Sequence, residues 1–101
     1  MIAQFSVVPL GIGASASAHV AKVIRLIDES GLEYRMNPMG TVVEGEWDEV
    51  MGLIEKCHRL VLDDVERVLT TVTIDDRKGR TGRITGKVES VEKILGKTVK
   101  K

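Results

Sequence analysis

The chain has few of the residues that staple or decorate a small fold. One cysteine, Cys57, occurs in 101 residues, which excludes an intrachain disulfide framework and a cysteine-built zinc site. Phenylalanine, tyrosine and tryptophan occur once each, as Phe5, Tyr34 and Trp47, too few for a surface that reads bases by stacking. Neither sign of charge is in excess, with Lys+Arg 15 and Asp+Glu 15, so no bulk field favours nucleic acid or an anionic membrane. No apolar run approaches the length of a membrane span. Met1 to Leu10 lacks a basic leader, and its apolar stretch is too short for a signal core. With a lone cysteine suited to a reducing compartment, the expected location is cytoplasmic.

What is present suits one globular domain over residues 1–101, with 97–101 expected to fray. Ile2 to Leu10 has no helical stripe, is rich in Val, Ile and Phe, and stops at Gly11, so it is read as a strand. Val20, Val23, Ile24 and Ile27 follow helical spacing after Ser15 or Ser17 as cap, and Ser30-Gly31 ends that helix. Glu33 to Met36 and Thr41 to Glu46 make a hairpin around Asn37-Pro38-Met39-Gly40. A second helix is expected from Asp48 as cap, with Val50, Ile54, Cys57, Val61 and Val65 as its stripe. Arg67 to Asp75 alternates as a last strand. Asp76 to Gly86 reads as a polar loop, and Val88, Val91, Ile94 and Leu95 suggest a short closing helix.

This βαββαβ order predicts an α+β, ferredoxin-like sandwich: an antiparallel four-stranded sheet with both helices on one face, plus a short C-terminal helix. The first strand is apolar on both faces at Val7-Val8. Its second face therefore needs cover, and a second copy of the chain is expected to supply it.

Several stretches together resemble the small thiamine-binding protein family related to YkoF. They are Ser15-Ala16-Ser17, Pro38-Met39-Gly40-Thr41, the run Val43-Glu44-Gly45-Glu46-Trp47-Asp48-Glu49-Val50, His58, Arg67-Val68, and Ile74-Asp75-Asp76-Arg77. The resemblance extends from about Ala3 to Leu95. Its specific part is Met39-Gly40-Thr41 with Glu44 and Trp47-Asp48 behind it. It implies a ferredoxin-like fold, assembly through sheets into dimers and dimers of dimers, and a pocket for thiamine or its pyrimidine. It implies binding proteins without an assigned reaction. His19 stands where the resemblance suggests an aromatic side chain.

Thiamine offers an aminopyrimidine with ring acceptors and an amine donor, a permanently cationic thiazolium, and a hydroxyethyl end. Glu44, on a strand, suits the amine or a protonated ring nitrogen. Asn37 and Thr41 supply donors and acceptors at the hairpin, although turn chemistry explains both equally well. Gly40 permits close backbone approach, and Met39, with Met36, can lie against a heterocycle through polarizable sulfur. Ser15 and Ser17, at a helix start, suit a hydroxyl or phosphate, and ordinary capping explains one of them. Trp47 is expected to pack at a helix start and Cys57 to be a small core hydrophobe. The expected ligand-binding set is thus Ser15, Ser17, Asn37, Met39, Gly40, Thr41 and Glu44, with no metal, no catalytic cofactor and no membrane.

No nucleophile, base and orienting group fall into a recognisable grouping, so the reading is non-catalytic. An RNA-recognition module shares the element order, but the third strand has no aromatic and carries glutamates. The basic residues Arg77, Lys78, Arg80, Arg83 and Lys87 could meet phosphates, with Asp75 and Asp76 offsetting them. A third reading is an oligomeric regulatory domain that senses another small metabolite.

Overall fold

A computed structural model of the chain describes residues 1–11, 17–79 and 82–100. Its elements run β1 (Ile2–Leu10), α1 (Ser17–Glu29), β2 (Glu33–Asn37), β3 (Gly40–Glu44), α2 (Trp47–Leu62), β4 (Arg67–Asp75) and α3 (Arg83–Leu95). The four strands form one antiparallel sheet in the order β2-β3-β1-β4. This is the ferredoxin-like arrangement, with two interleaved βαβ units.

Strand alternation sorts side chains between the faces. Ala3 and Phe5 of β1 pair with Val43 and Thr41 of β3 and with Ile74 and Val72 of β4. These face α1 and α2. The core is Ala3, Phe5, Val23, Ile27, Val43, Val50, Leu53, Ile54, Cys57 and Val61. Leu53 takes the place expected for Val65, because α2 ends at Leu62 and Val65 packs from the following connection. The cap of α2 is Glu46 rather than Asp48, and its backbone N–H donates to Glu49 Oε1 at 3.2 Å. Asp48 and Glu49 thereby sit in the first turn, where negative charge suits the helix dipole. Trp47, the first residue of α2, is 53% exposed rather than packed.

Helix α1 ends as expected. Ser30 Oγ donates to Ile27 O at 2.6 Å, and Gly31 adopts φ 76°, a left-handed conformation that favours glycine.

The largest departure is α3. The segment expected to remain a loop until Gly86 is already helical from Arg83. The anchor is non-local: Glu44 Oε1 accepts the backbone N–H groups of Arg83 at 2.8 Å and Ile84 at 3.2 Å. A carboxylate at a helix start satisfies unpaired N–H groups and opposes the dipole. Helix α3 lies across one end of the sheet face that α1 and α2 leave open. Ile84 is buried there, and Lys87 pairs with Asp75 of β4. The open face is therefore partly covered by the chain itself.

Candidate functional site

Unequal strand lengths create a cavity at the hairpin tip. Strand β1 has nine residues and pairs with β4 along all of them, from Ile2 to Leu10. Its pairing with β3 runs only from Ile2 to Phe5, because the hairpin turns at Pro38-Met39. Beyond Phe5, that side of β1 has no strand partner among the described residues. Pro9 falls in this singly paired stretch, where a missing N–H is tolerated.

The notch between β1 and the hairpin tip is roofed by Val20, Val23 and Ile24 of α1. Its volume is about 340 Å³, at the lower end of small-molecule sites. The hairpin contributes Met36, Asn37, Met39, Gly40 and Thr41, and β1 contributes Phe5 to Val8. The lining is mostly apolar with a few polar groups, the usual composition of a ligand pocket.

Three details give the notch chemical character. Thr41 is 7% exposed, and its hydroxyl has no hydrogen-bond partner among the described residues. Met36 and Met39 are 55% and 86% exposed, so their sulfur atoms are available rather than core filling. A Cβ on Gly40 would stand 3.1 Å from the Phe5 carbonyl oxygen, a tight contact that would push the tip back from β1 by a few tenths of an ångström.

The expected site residues divide accordingly. Asn37, Met39, Gly40 and Thr41 come together at the notch. Ser17, the first residue of α1, is exposed and does not line it. Ser15 lies outside the described residues. Glu44 is on the other side of the sheet, anchoring α3. The expectation that Asn37 to Glu44 lines a single hollow is thus corrected. Thr41 and Glu44 are three residues apart on one strand, an odd spacing that sends their side chains to opposite faces. Sequence reasoning missed Val20, Val23 and Ile24 as roof residues, although their helical stripe marked them as facing inward.

Other reactive groups are engaged locally. Burial pushes the Cys57 thiol up to about 11, leaving it protonated and unreactive at neutral pH. His58 Nδ1 lies 2.7 Å from Thr70 Oγ1. Lys22 Nζ donates to Asp64 Oδ2 at 3.0 Å and holds that carboxyl below its usual range. Tyr34 Oη donates to Asp28 Oδ1 at 3.1 Å, a bond that raises the phenol above its ordinary value. Among the described residues no group of three His, Cys, Asp or Glu side chains could hold a metal ion. No helix among them is long and apolar enough to cross a membrane.

Fold and notch together define a small ferredoxin-like α+β protein with a ligand-sized hollow at its hairpin. Residues 3–92 match the thiamine-binding protein family, and the chain belongs to it. It is 37% identical over 94 residues to a UPF0045 protein of Methanocaldococcus jannaschii, covering 93% of this chain and 94% of that one. The UPF0045 protein YqgV of Bacillus subtilis is 33% identical over 100 residues, covering 93% and 96%. A crystal structure of the Methanocaldococcus protein superposes with a TM-score of 0.83 at 39% identity, covering 89% of this chain and 93% of that chain. A Thermotoga maritima structure, named as a candidate thiamine biosynthesis/salvage protein, gives a TM-score of 0.77 at 25% identity, covering 89% and 96%.

Proposed function

We propose that this chain binds thiamine, or its aminopyrimidine portion, in the hairpin notch and serves as a carrier, buffer or sensor rather than a catalyst. The observation that carries this reading is Thr41, a residue 7% exposed whose hydroxyl has no hydrogen-bond partner among the described residues, lining an apolar hollow with Asn37, Met39 and Gly40. An aminopyrimidine presents both donors and acceptors, and the Thr41 hydroxyl can act as either partner. Met36 and Met39 provide polarizable contact for the ring faces. Family membership supports the same ligand class. Glu44 enters as the anchor of α3 and acts on the ligand only indirectly, since its carboxylate is turned to the opposite sheet face.

Calorimetric titration with thiamine, its phosphates and the free pyrimidine tests the proposal. Thr41→Val should weaken binding by about tenfold, the worth of one good hydrogen bond in a desolvated site. Glu44→Gln should leave affinity within about twofold. Absence of heat with all of these compounds, or full affinity in Thr41→Val, would rule the assignment out.

One observation favours a second reading. Among the described residues no carboxylate lines the notch to face a permanent cation, which suits an uncharged heterocyclic metabolite sensed by a regulatory oligomer. Saturable binding of an uncharged heterocycle, with no heat from thiamine or its pyrimidine, would select it.

Assembly belongs to the same proposal. Val8 and Leu69 are 41% and 56% exposed on the open sheet face, and Val91, Ile94 and Leu95 of α3 are 50%, 87% and 55% exposed. A second copy of the chain covers this surface, giving a dimer and then a dimer of dimers. Sedimentation should show no monomer at micromolar concentration. The buried free thiol of Cys57 suits work in the reducing cytoplasm.

A further inference from the structure

We infer that the cleft between β2 and the N-terminal half of α3, on the open sheet face, is a second binding site, built for a small phosphate-bearing anion. Its volume is about 270 Å³. Arg35 and Asn37 reach it from β2, Arg83 and Lys87 from α3, and Ile2 and Val42 form an apolar floor. It shares only Asn37 with the hairpin notch and does not depend on what the notch binds.

The charges around the cleft are unevenly matched. Glu44 is occupied by the N–H groups of Arg83 and Ile84, and Asp75 by Lys87. Glu33, across from Glu44 in register, is exposed. Asp75 feels Arg83 at longer range, but no ion pair joins them. Neither the Arg35 nor the Arg83 side chain has a hydrogen bond or ion pair among the described residues, yet both residues are partly buried. A guanidinium drawn partly out of water without an acceptor carries a desolvation cost that a bound anion recovers.

Geometry narrows the ligand class. Each guanidinium is a planar fork that bonds two oxygens at once. Forks from two separate elements, with the Asn37 amide between them, can surround a tetrahedral group, whereas one flat carboxylate would satisfy only one of them. Glu44 fixes the first turn of α3 and so fixes where Arg83 starts. At Gly86 a Cβ would stand 3.1 Å from Arg83 Nη1, so the missing side chain leaves room for the guanidinium to lie along the helix.

Titrating the full ¹⁵N-labelled chain at constant ionic strength with inorganic pyrophosphate, inorganic phosphate and malonate tests this, read at the Arg35 and Arg83 Nε–H signals. Pyrophosphate should give saturable shifts and bind about tenfold tighter than malonate. Arg35→Gln and Arg83→Gln should each weaken it about tenfold. Because Arg83→Gln alters the first turn of α3, Arg35→Gln is the decisive variant. Lys56→Gln, remote on α2, and Thr41→Val, which lines only the notch, should leave pyrophosphate binding unchanged. Linear shifts without saturation, equal loss in Lys56→Gln, or malonate as tight as pyrophosphate would each overturn the proposal.

Discussion

The two faces of the sheet are held by different physics. Toward α1 and α2, Ala3, Phe5 and Val43 are 1%, 2% and 0% exposed, and they meet Ile27, Val50 and Cys57, each 0% exposed. This is close, non-directional packing, in which any lost methylene leaves a void. Toward α3, one buried isoleucine, Ile84, is joined by directed polar contacts from Glu44 and Asp75. Apolar side chains farther along that face and along α3 stay open. The first face makes the fold; the second holds an attached element by a few specific bonds. Regions held this way open locally at lower free energy than a packed core.

The contrast breaks most sharply in the core. Ile27→Ala should cost about 2–5 kcal/mol in urea unfolding, with cooperative loss of the whole domain. It should also expose Cys57 to thiol reagents that the native chain resists at neutral pH, since its thiol is buried and pushed up to about 11. Labelling of the native chain as fast as an unfolded peptide would contradict the packing described. Gly40→Ala should cost about 1–3 kcal/mol, as the new methyl presses the Phe5 carbonyl and shifts the hairpin tip; ligand affinity in the notch should fall with it. Unchanged stability would mean that the tip moves freely.

On the other face the effects are smaller and local. Glu44→Ala should remove about 1–2 kcal/mol from α3 alone. Hydrogen exchange at Arg83 and Ile84 should accelerate while Ile27 and Val50 keep their protection, and equal loss at both places would erase the distinction between faces. The smallest effect concerns Lys87. Its ammonium, bonded to Asp75, holds that carboxyl below its usual range. Because the folded value is depressed, this pair's contribution is present above the unfolded carboxyl value of about 3.9 and fades as pH falls through the folded one. In Lys87→Met the Asp75 carboxyl should titrate closer to its ordinary range in carbon-detected spectra, with no resolvable change in the urea midpoint.

Much of this was legible in the residues, for identifiable reasons. Strands β1 and β4 show β-rich composition and end at Gly11 and Asp75-Asp76, so their bounds agree with expectation. The βαββαβ order and the cysteine in the core also follow from pattern. The start of α3 was hidden because its stabilising carboxylate comes from Glu44, 39 residues away from Arg83. The cap of α2 was misplaced because glutamate is an uncommon cap and its partner Glu49 mattered more than the residue type. Of the candidate site residues, Asn37, Met39, Gly40 and Thr41 line one hollow, while the alternation of the strand turns Glu44 to the face opposite Thr41.

Local chemistry was enough to specify which segments pair as strands, which coil as helices, and which side chains are apolar enough to be buried, since propensity and periodicity act over a few residues. Tertiary structure alone decided where hollows open. The notch exists because the nine-residue strand β1 stands beside the five-residue strand β3 of the hairpin once the sheet order places them together. The cleft on the far face exists because a carboxylate from β3 captures a helix that begins beyond β4. Both are long-range geometric facts, set by packing and register between segments that no local pattern connects.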